Sequence, residues 1–258
     1  MSAVIPVPEQ QKASSEQPAM SPQQRQFTQE GAGLAAYRDF VVGRASLPYW
    51  LQYELQTLLF SGLPGLLGFG LRSLSYPFLF ESCGRRPALG RGVVLRRPNQ
   101  MCIGNKVLVD DYAVLDVRGD GARISLGDFA SIGRFSTVAA KGGRISLGNA
   151  VNIGSYCRIA TQSSVEIEES VLVAAYCYIG SGNHQAGAEG QALIEREMEI
   201  KGGVKIGAHA WIGAHSTILD GVSIGARSVI GAHSLVRDSI PEDCVAVGIP
   251  AKVIRSLK

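Results

Sequence analysis

The sequence predicts an all-β solenoid, a parallel β-helix of about six coils preceded by an N-terminal helical segment. Three observations carry this reading. From Ile206 to Val236 an aliphatic residue returns at every sixth position: Ile206, Ile212, Ile218, Ile224, Ile230, Val236. Gly usually follows the anchor, and a small residue usually sits four places on, at Ala210, Ser216, Val222, Ser228 and Ser234. The pentapeptide Arg-Ile-Ser-Leu-Gly occurs at 123–127 and again at 144–148. A fixed short period with aliphatic anchors marks a solenoid of stacked strands.

The period has a physical meaning. A strand alternates its side chains between two faces, so a short strand plus a Gly turn makes one flat side of a prism. Three such sides make a coil of 18 residues, which puts Ile212 below Ile230. Neighbouring coils then lie ~4.8 Å apart, like any paired strands. The core is built by stacking, so no single repeat is stable alone.

Residues 1–30 are rich in Gln, Ser and Pro and hold almost no large apolar group after Val7. Such a segment buries too little surface to offset its ordering entropy and reads as disordered. Gly31 to Gly43 reads as a short helix within an apolar helical segment, 31–84. Leu47 to Phe60 reads as a helix with Pro48 near its start. Ser61-Gly-Leu-Pro-Gly65 breaks it, and Leu66 to Phe80 forms a second apolar stretch. Leu55 to Leu71 carries no charge. Interrupted by Pro64, that run is short for a membrane span of ~20 residues. In-plane helices at a membrane interface are the leading reading, and a helical pair packed on the solenoid or a neighbouring subunit is the alternative. Arg85, Arg86, Arg91, Arg96 and Arg97 follow in an Arg-rich junction, 85–102. A basic cluster there suits anionic lipid; a solvated rim at the first coil is the bland account.

From Ile103 the six-residue beat runs on, in one domain, 103–258. Stacking predicts the column Val109, Ile132, Ile153, Val173, Ile212, Ile230. Beside it runs a corner column: Ala113, Ser136, Cys157, Cys177, Ser216, Ser234. Cys157 and Cys177 should therefore be small buried packing residues one coil apart. The beat stops at Ile179 and resumes at Val204, so a loop, 185–203, leaves the prism. The stretch 238–258 should cover the last open coil.

Composition narrows the partners. Net charge is +3 and charged residues are 18%, which argues against a nucleic-acid role. Five cysteines without CxxC spacing argue against a disulfide framework or a zinc ribbon. A cytoplasmic setting fits, and the sequence starts without the basic-then-apolar pattern of a secretory signal.

Four histidines are the candidate chemistry. His209, His215 and His233 stand three places after an anchor, at an outer turn position, and His215 should stack on His233. They read as exposed turn residues, with a zinc site the sharper alternative. His184 differs: it closes Ile179-Gly-Ser-Gly-Asn-His184, where the chain leaves the prism. The sequence holds no nucleophile elbow, Walker loop or HExxH.

From Ile103 onward the chain resembles the hexapeptide-repeat acyltransferases, in their sugar O-acetyltransferase branch. The matching pieces are the hexads, Asn183-His184 before a loop, Ala210-Trp-Ile-Gly-Ala-His-Ser-Thr-Ile, Gly221-Val-Ser-Ile-Gly and Val247-Gly-Ile-Pro-Ala-Lys-Val-Ile. The resemblance implies a left-handed helix, against the general rule for crossovers. It also implies a homotrimer with acetyl-CoA in the groove between prisms. It makes His184 the general base and gives Asn183 and Trp211 positioning roles. Gly213, Ala214 and Ala232 would contact the pantetheine arm, with Arg237 and Lys252 near the CoA phosphates. No metal is implied. An imidazole with an ordinary pKa of ~6.5 can take a hydroxyl proton as the oxygen attacks. Two departures stand out: Val236-Arg237 replaces a Thr-Lys common in relatives, and 1–102 has no match to the family's short N-terminal segment. The expected activity is acetyl transfer to a sugar hydroxyl of a polysaccharide or lipid-linked glycan, peripheral on the inner face of the membrane. A γ-type carbonic anhydrase-like zinc enzyme and a non-catalytic scaffold are the alternatives.

Overall fold

The computed structural model describes residues 24, 28, 33–43, 45–184, 192–193, 196 and 198–258; for Asn183 and His184 it describes the backbone but not the side chains. The proposed disorder of 1–30 lies outside the described residues, save for Gln24 and Thr28. The chain folds as a left-handed parallel β-helix of about seven turns behind a few N-terminal helices. Three sheets form the sides of the prism. The first face has seven strands, the second nine and the third seven.

The predicted stacking holds. Val109 pairs with Ile132, Ile132 with Ile153, Ile153 with Val173, Val173 with Ile212, and Ile212 with Ile230. All six are buried. The two copies of Arg-Ile-Ser-Leu lie side by side, Arg144 on Arg123 through Leu147 on Leu126. The corner column is buried as well, and its polar members satisfy themselves on the neighbouring coil. Ser136 Oγ donates to the Gly154 carbonyl at 2.7 Å and Ser216 Oγ to Gly231 at 3.1 Å. The Cys157 and Cys177 thiols donate to Ala174 at 3.1 Å and Gly213 at 3.2 Å. The neighbouring Cys177 sulfur, with burial, pushes the Cys157 thiol up.

The turn count corrects the expectation of about six coils. A full coil precedes Ile103: Ser82–Cys83 pairs with Cys102–Ile103, Ala88–Leu89 with Leu108–Val109, and Val94–Arg96 with Val114–Asp116. Its inward residues, Cys83, Leu89 and Leu95, keep the six-residue beat. Cysteine in the first anchor position and the arginines around it hid the repeat.

Three helices close the N-terminal end of the prism: α1 (Gly33–Val42), α2 (Leu47–Phe60) and α3 (Gly65–Ser75). Ser46 caps α2 by accepting from the Tyr49 N–H, with Pro48 in its first turn. Tyr53 donates to the Leu95 carbonyl at 2.7 Å, and the Gly92 N–H donates to Ser61 at 2.8 Å. Arg72 is buried and donates to the Leu89, Phe60 and Leu63 carbonyls at 2.8–2.9 Å. So the helical pair packs on the solenoid, and the single charge of α3 points inward. The outward side is apolar: Leu58, Leu66, Leu67 and Leu74 are each at least 70% exposed. Among the described residues no helix is long and apolar enough to cross a membrane.

The arginines after this segment do not act as one cluster. Arg97 is buried against Asp39 at 3.0 Å and Asp120 at 3.2 Å. Arg96 lies over the Phe40 ring and reaches Asp116 at 3.6 Å. Arg85, Arg86 and Arg91 remain exposed at corners of the first coil. At the other end, Cys244–Gly248 continues the second face, and Ala251–Ser256 folds back on it antiparallel.

Candidate functional site at the interrupted corner

The prism has three corners, and the excursion leaves from the one between the third and first faces. The third-face strand Tyr178–Ser181 ends there, and the first face resumes at Val204–Ile206. Between them Asn183–His184 pairs antiparallel with Met198–Glu199, with His184 opposite Met198. His184 thus stands in a short two-stranded stem outside the prism. Most of the predicted loop, 185–203, lies outside the described residues up to Met198. Under the stem is a buried hydroxyl cluster. Thr161 Oγ1 and Ser181 Oγ are hydrogen-bonded, and Ser163 Oγ lies 3.0 Å from Ser181 Oγ.

Both feet of the stem meet one carboxylate that the sequence reading did not single out. Asp220, in the corner one coil on, accepts from the N–H groups of Gly182 at 3.1 Å, Lys201 at 2.7 Å and Gly203 at 2.8 Å. The available signal was its hexad, Ile218-Leu-Asp-Gly, which lacks the Gly that follows Ile206, Ile212, Ile224 and Ile230.

The other expected site residues fall into two groups. Arg237 follows the last third-face strand and so lies at the same corner as His184, by the register Ile179–Ile218–Val236. Lys252 joins it: both cations reach Asp238, at 3.5 Å and 3.6 Å. Trp211 is elsewhere. It is half exposed on the outside of the second face, between Leu172 and Val229. In a three-sided prism that face lies opposite the corner of the excursion. Gly213, Ala214 and Ala232 occupy the corner between the second and third faces. There Gly213 packs so closely on the next coil that an added Cβ would lie 2.5 Å from Ala232 N. One chain therefore does not bring Trp211 and these turn residues to His184.

The remaining histidines are ladder residues. His215 stacks on His233 with ring centroids 4.7 Å apart, as the period predicts. Tyr176, Tyr156, Phe135 and Tyr112 continue the same stack down the corner. All six residues have left-handed backbone, with φ from 58° to 61°. His209 sits at a different corner, between the first and second faces. Within one chain the three histidines do not converge, and the described residues hold no group of three or more His, Cys, Asp or Glu fit for a metal ion.

Comparison with known proteins fits this geometry. The family described as bacterial transferase hexapeptide (six repeats) matches residues 203–238. A probable acetyltransferase of Mycobacterium tuberculosis (strain ATCC 25618 / H37Rv) is 36% identical over 135 residues. That match covers 52% of this chain and 45% of the relative, so the chain spans less than half the length of the curated relative. Among solved structures, the polySia-specific acetyltransferase NeuO superposes with a TM-score of 0.53 at 24% identity, covering 68% of this chain and 75% of that one. A point mutant of AntD, an N-acyltransferase from Bacillus cereus solved with dTDP and coenzyme A, gives 0.52 at 20% identity, covering 78% and 92%. At these identities the structural matches speak for the fold.

Proposed function

We propose that the chain is a hexapeptide-repeat acyltransferase, and specifically an acetyl-CoA-dependent O-acetyltransferase acting on a sugar hydroxyl, with His184 as general base. The observation that carries this reading is the stem at the interrupted corner. It is where the solenoid projects an imidazole-bearing residue out of its own repeat. The relative's name as a probable acetyltransferase supports the class of donor.

The steps follow from the groups present. His184 takes the proton of the acceptor hydroxyl as its oxygen bonds to the acyl carbon. The carbon–sulfur bond then breaks, and the imidazolium returns the proton to the departing thiolate. The products are an ester and a free thiol, with no covalent enzyme intermediate. General-base help of this kind is worth ~10²–10⁴-fold. The donor's fit rests on charge and backbone. Arg237 and Lys252 are exposed and already share one carboxylate, which suits phosphates; the Gly213 and Ala214 carbonyls each accept one bond, from the Cys177 thiol and the His233 N–H, and keep a second lone pair for amide N–H groups of the arm.

A homotrimer accounts for the placement of the other residues. Trp211, Gly213, Ala214 and Ala232 lie away from His184 in one chain, so they serve the same site only from a neighbouring prism. Asn183, beside His184 in the stem, orients the acceptor or the base. The acceptor is a polysaccharide or lipid-linked glycan, reached from a membrane surface. The inverted helix α3, with Arg72 inside and leucines outside, supports that placement, as do the exposed Arg85, Arg86 and Arg91. With the helices on lipid, His184 stands four coils above the first, about 20 Å away at ~4.8 Å per coil.

The deciding assay is acetyl-dependent thiol release by the purified protein with glycan acceptors. His184→Ala should lower kcat by ~10²-fold or more while circular dichroism and Tm stay as in the parent. Full activity in that variant would remove the base from the proposal. For the membrane, Leu58→Glu with Leu66→Glu should abolish co-sedimentation with phosphatidylglycerol vesicles. Unchanged binding, or none in the parent protein, would reject it.

A further inference from the structure

We propose that Asp220 is a positioning residue for this site: its carboxylate ties both feet of the stem to the prism and so sets where His184 stands. This rests on the reading of His184 as the base. An insertion breaks the backbone closure of a solenoid corner. At the uninterrupted turns of this corner the backbone closes on itself; Gly142 N–H, for example, donates to the Arg118 carbonyl one coil away at 2.7 Å. Where the chain leaves and returns, that closure is lost. The N–H groups of Gly182, Lys201 and Gly203 need another acceptor, and for the buried Gly203 going without one is costly.

Asp220 supplies it. The register Ile179–Ile218 sets it directly over Ser181, the last residue before the outgoing foot. It is only 7% exposed. One oxygen, Oδ2, accepts from Gly182 on the outgoing strand and Lys201 on the returning one, at 3.1 and 2.7 Å. The other, Oδ1, accepts from Gly203 at 2.8 Å. Hydrogen bonds to an ionised acceptor are stronger and shorter than neutral ones, and here one group serves three donors. The feet are shaped to reach it. Gly182 and Gly203 take φ of 98° and 94°, which a side chain would resist, and Gly221 N–H donates back to the Gly203 carbonyl at 2.7 Å. A Cβ at Gly203 would also meet Ser164 Oγ at 2.3 Å.

The clamp bears directly on the base. His184 is two residues beyond Gly182, and its ladder partner Met198 is three residues before Lys201. A single oxygen therefore holds both strands of the stem at their root. A neutral amide of the same shape cannot serve all three donors: Asp220→Asn keeps one oxygen and turns an NH₂ group toward either Gly203 or the Gly182–Lys201 pair. The stem would then shift against the prism, and a misplacement of ~1 Å at a reacting group costs about 10²-fold.

The test combines kinetics with residue-resolved hydrogen exchange on the full chain. In the parent protein the amides of Gly182, Lys201 and Gly203 should be protected like those of Lys205 and Gly207 in the adjoining strand. Asp220→Asn should speed exchange at those three amides, leave the adjoining strand protected, and lower kcat by ~10- to 10²-fold with KM for acetyl-CoA within about 3-fold. Free exchange at the three amides in the parent would overturn the proposal without any variant. So would unchanged exchange in Asp220→Asn, or loss of protection spread evenly through the prism. His184→Ala separates the two readings. If that variant stays active the base is wrong, yet the exchange pattern still decides whether Asp220 holds the feet.

Discussion

Two corners of the same prism are built in opposite ways. Between the second and third faces, six rings from Tyr112 to His233 stack with centroids 4.7–5.3 Å apart, and each backbone N–H donates one coil back. Every rung does the same work, so the load is shared. Between the third and first faces the repeat is broken once, and the Asp220 carboxylate gathers the N–H groups of both feet across the gap. Periodicity spreads a structural task over many residues, whereas an insertion concentrates it on a few. Substitutions in the repeated parts should therefore cost stability in graded amounts, and substitutions at the break should cost activity.

The largest stability effect is expected inside the repeat. Ile153 is 1% exposed and paired between Ile132 and Val173. Ile153→Ala leaves a cavity in a stack that cannot collapse without moving neighbouring coils, at ~2–5 kcal/mol. Urea denaturation should show that loss, with activity per folded molecule unchanged. A fall in activity beyond the fall in folded fraction would break the division of labour between the two corners.

The same division decides what could be read from the sequence. Ile132, Ile153, Ile212 and Ile230 were legible because an inward position is set by local alternation, and alternation is written in the chain itself. Cys157 and Cys177 were placed by the same count. The first coil was not, because Cys83 holds the anchor position and Arg85, Arg86 and Arg91 looked like a charged junction. Arg72 and Arg97 were not legible either. Their roles depend on helix carbonyls and on Asp39 and Asp120, which only packing brings near. Asp220 escaped for a related reason. Which N–H groups an insertion strands is known only once both ends of that insertion are placed, and the feet lie 17 to 38 residues before it.

A middle-sized effect tests the ring ladder. Tyr156 stacks on Phe135 and Tyr176 at 5.0 and 4.9 Å, with φ of 59°. Each stacked pair is worth ~0.5–1.5 kcal/mol, so Tyr156→Ala should cost about 1–3 kcal/mol. Alanine keeps the left-handed strain of ~1 kcal/mol that glycine would relieve. Tyr156→Gly should therefore be the milder of the two by thermal denaturation. If glycine proves worse, left-handed strain does not set the order of the two variants; if Tyr156→Ala costs nothing, the rings are not what carries this corner.

The smallest effect concerns the C-terminal cap, which uses charge where the corners use rings and backbone. Arg227 reaches Asp243 at 2.5 Å, and Lys258 reaches Asp243 at 2.9 Å and Glu242 at 3.1 Å. The Arg227 guanidinium first, then the Lys258 ammonium, hold the Asp243 carboxyl well below the usual range; Lys258 chiefly does the same for Glu242. A carboxyl depressed in the folded state adds stability above its unfolded pKa, ~4 for these residues, and that contribution is lost as pH falls through the folded value. Arg227, Glu242 and Lys258 are exposed and screened while Asp243 is buried beneath them, and all four sit at the C-terminal end, so the cap and not the prism should respond. Below about pH 4, amide protection along Ala251–Ser256, measured against the intrinsic exchange rate at each pH, should fall while the Ile212–Ile230 pair stays protected, and Asp243→Asn should bring the same loosening to pH 7. Equal protection at pH 3 and pH 7 along that strand would mean the antiparallel ladder to Cys244–Gly248 closes the solenoid without help from charge.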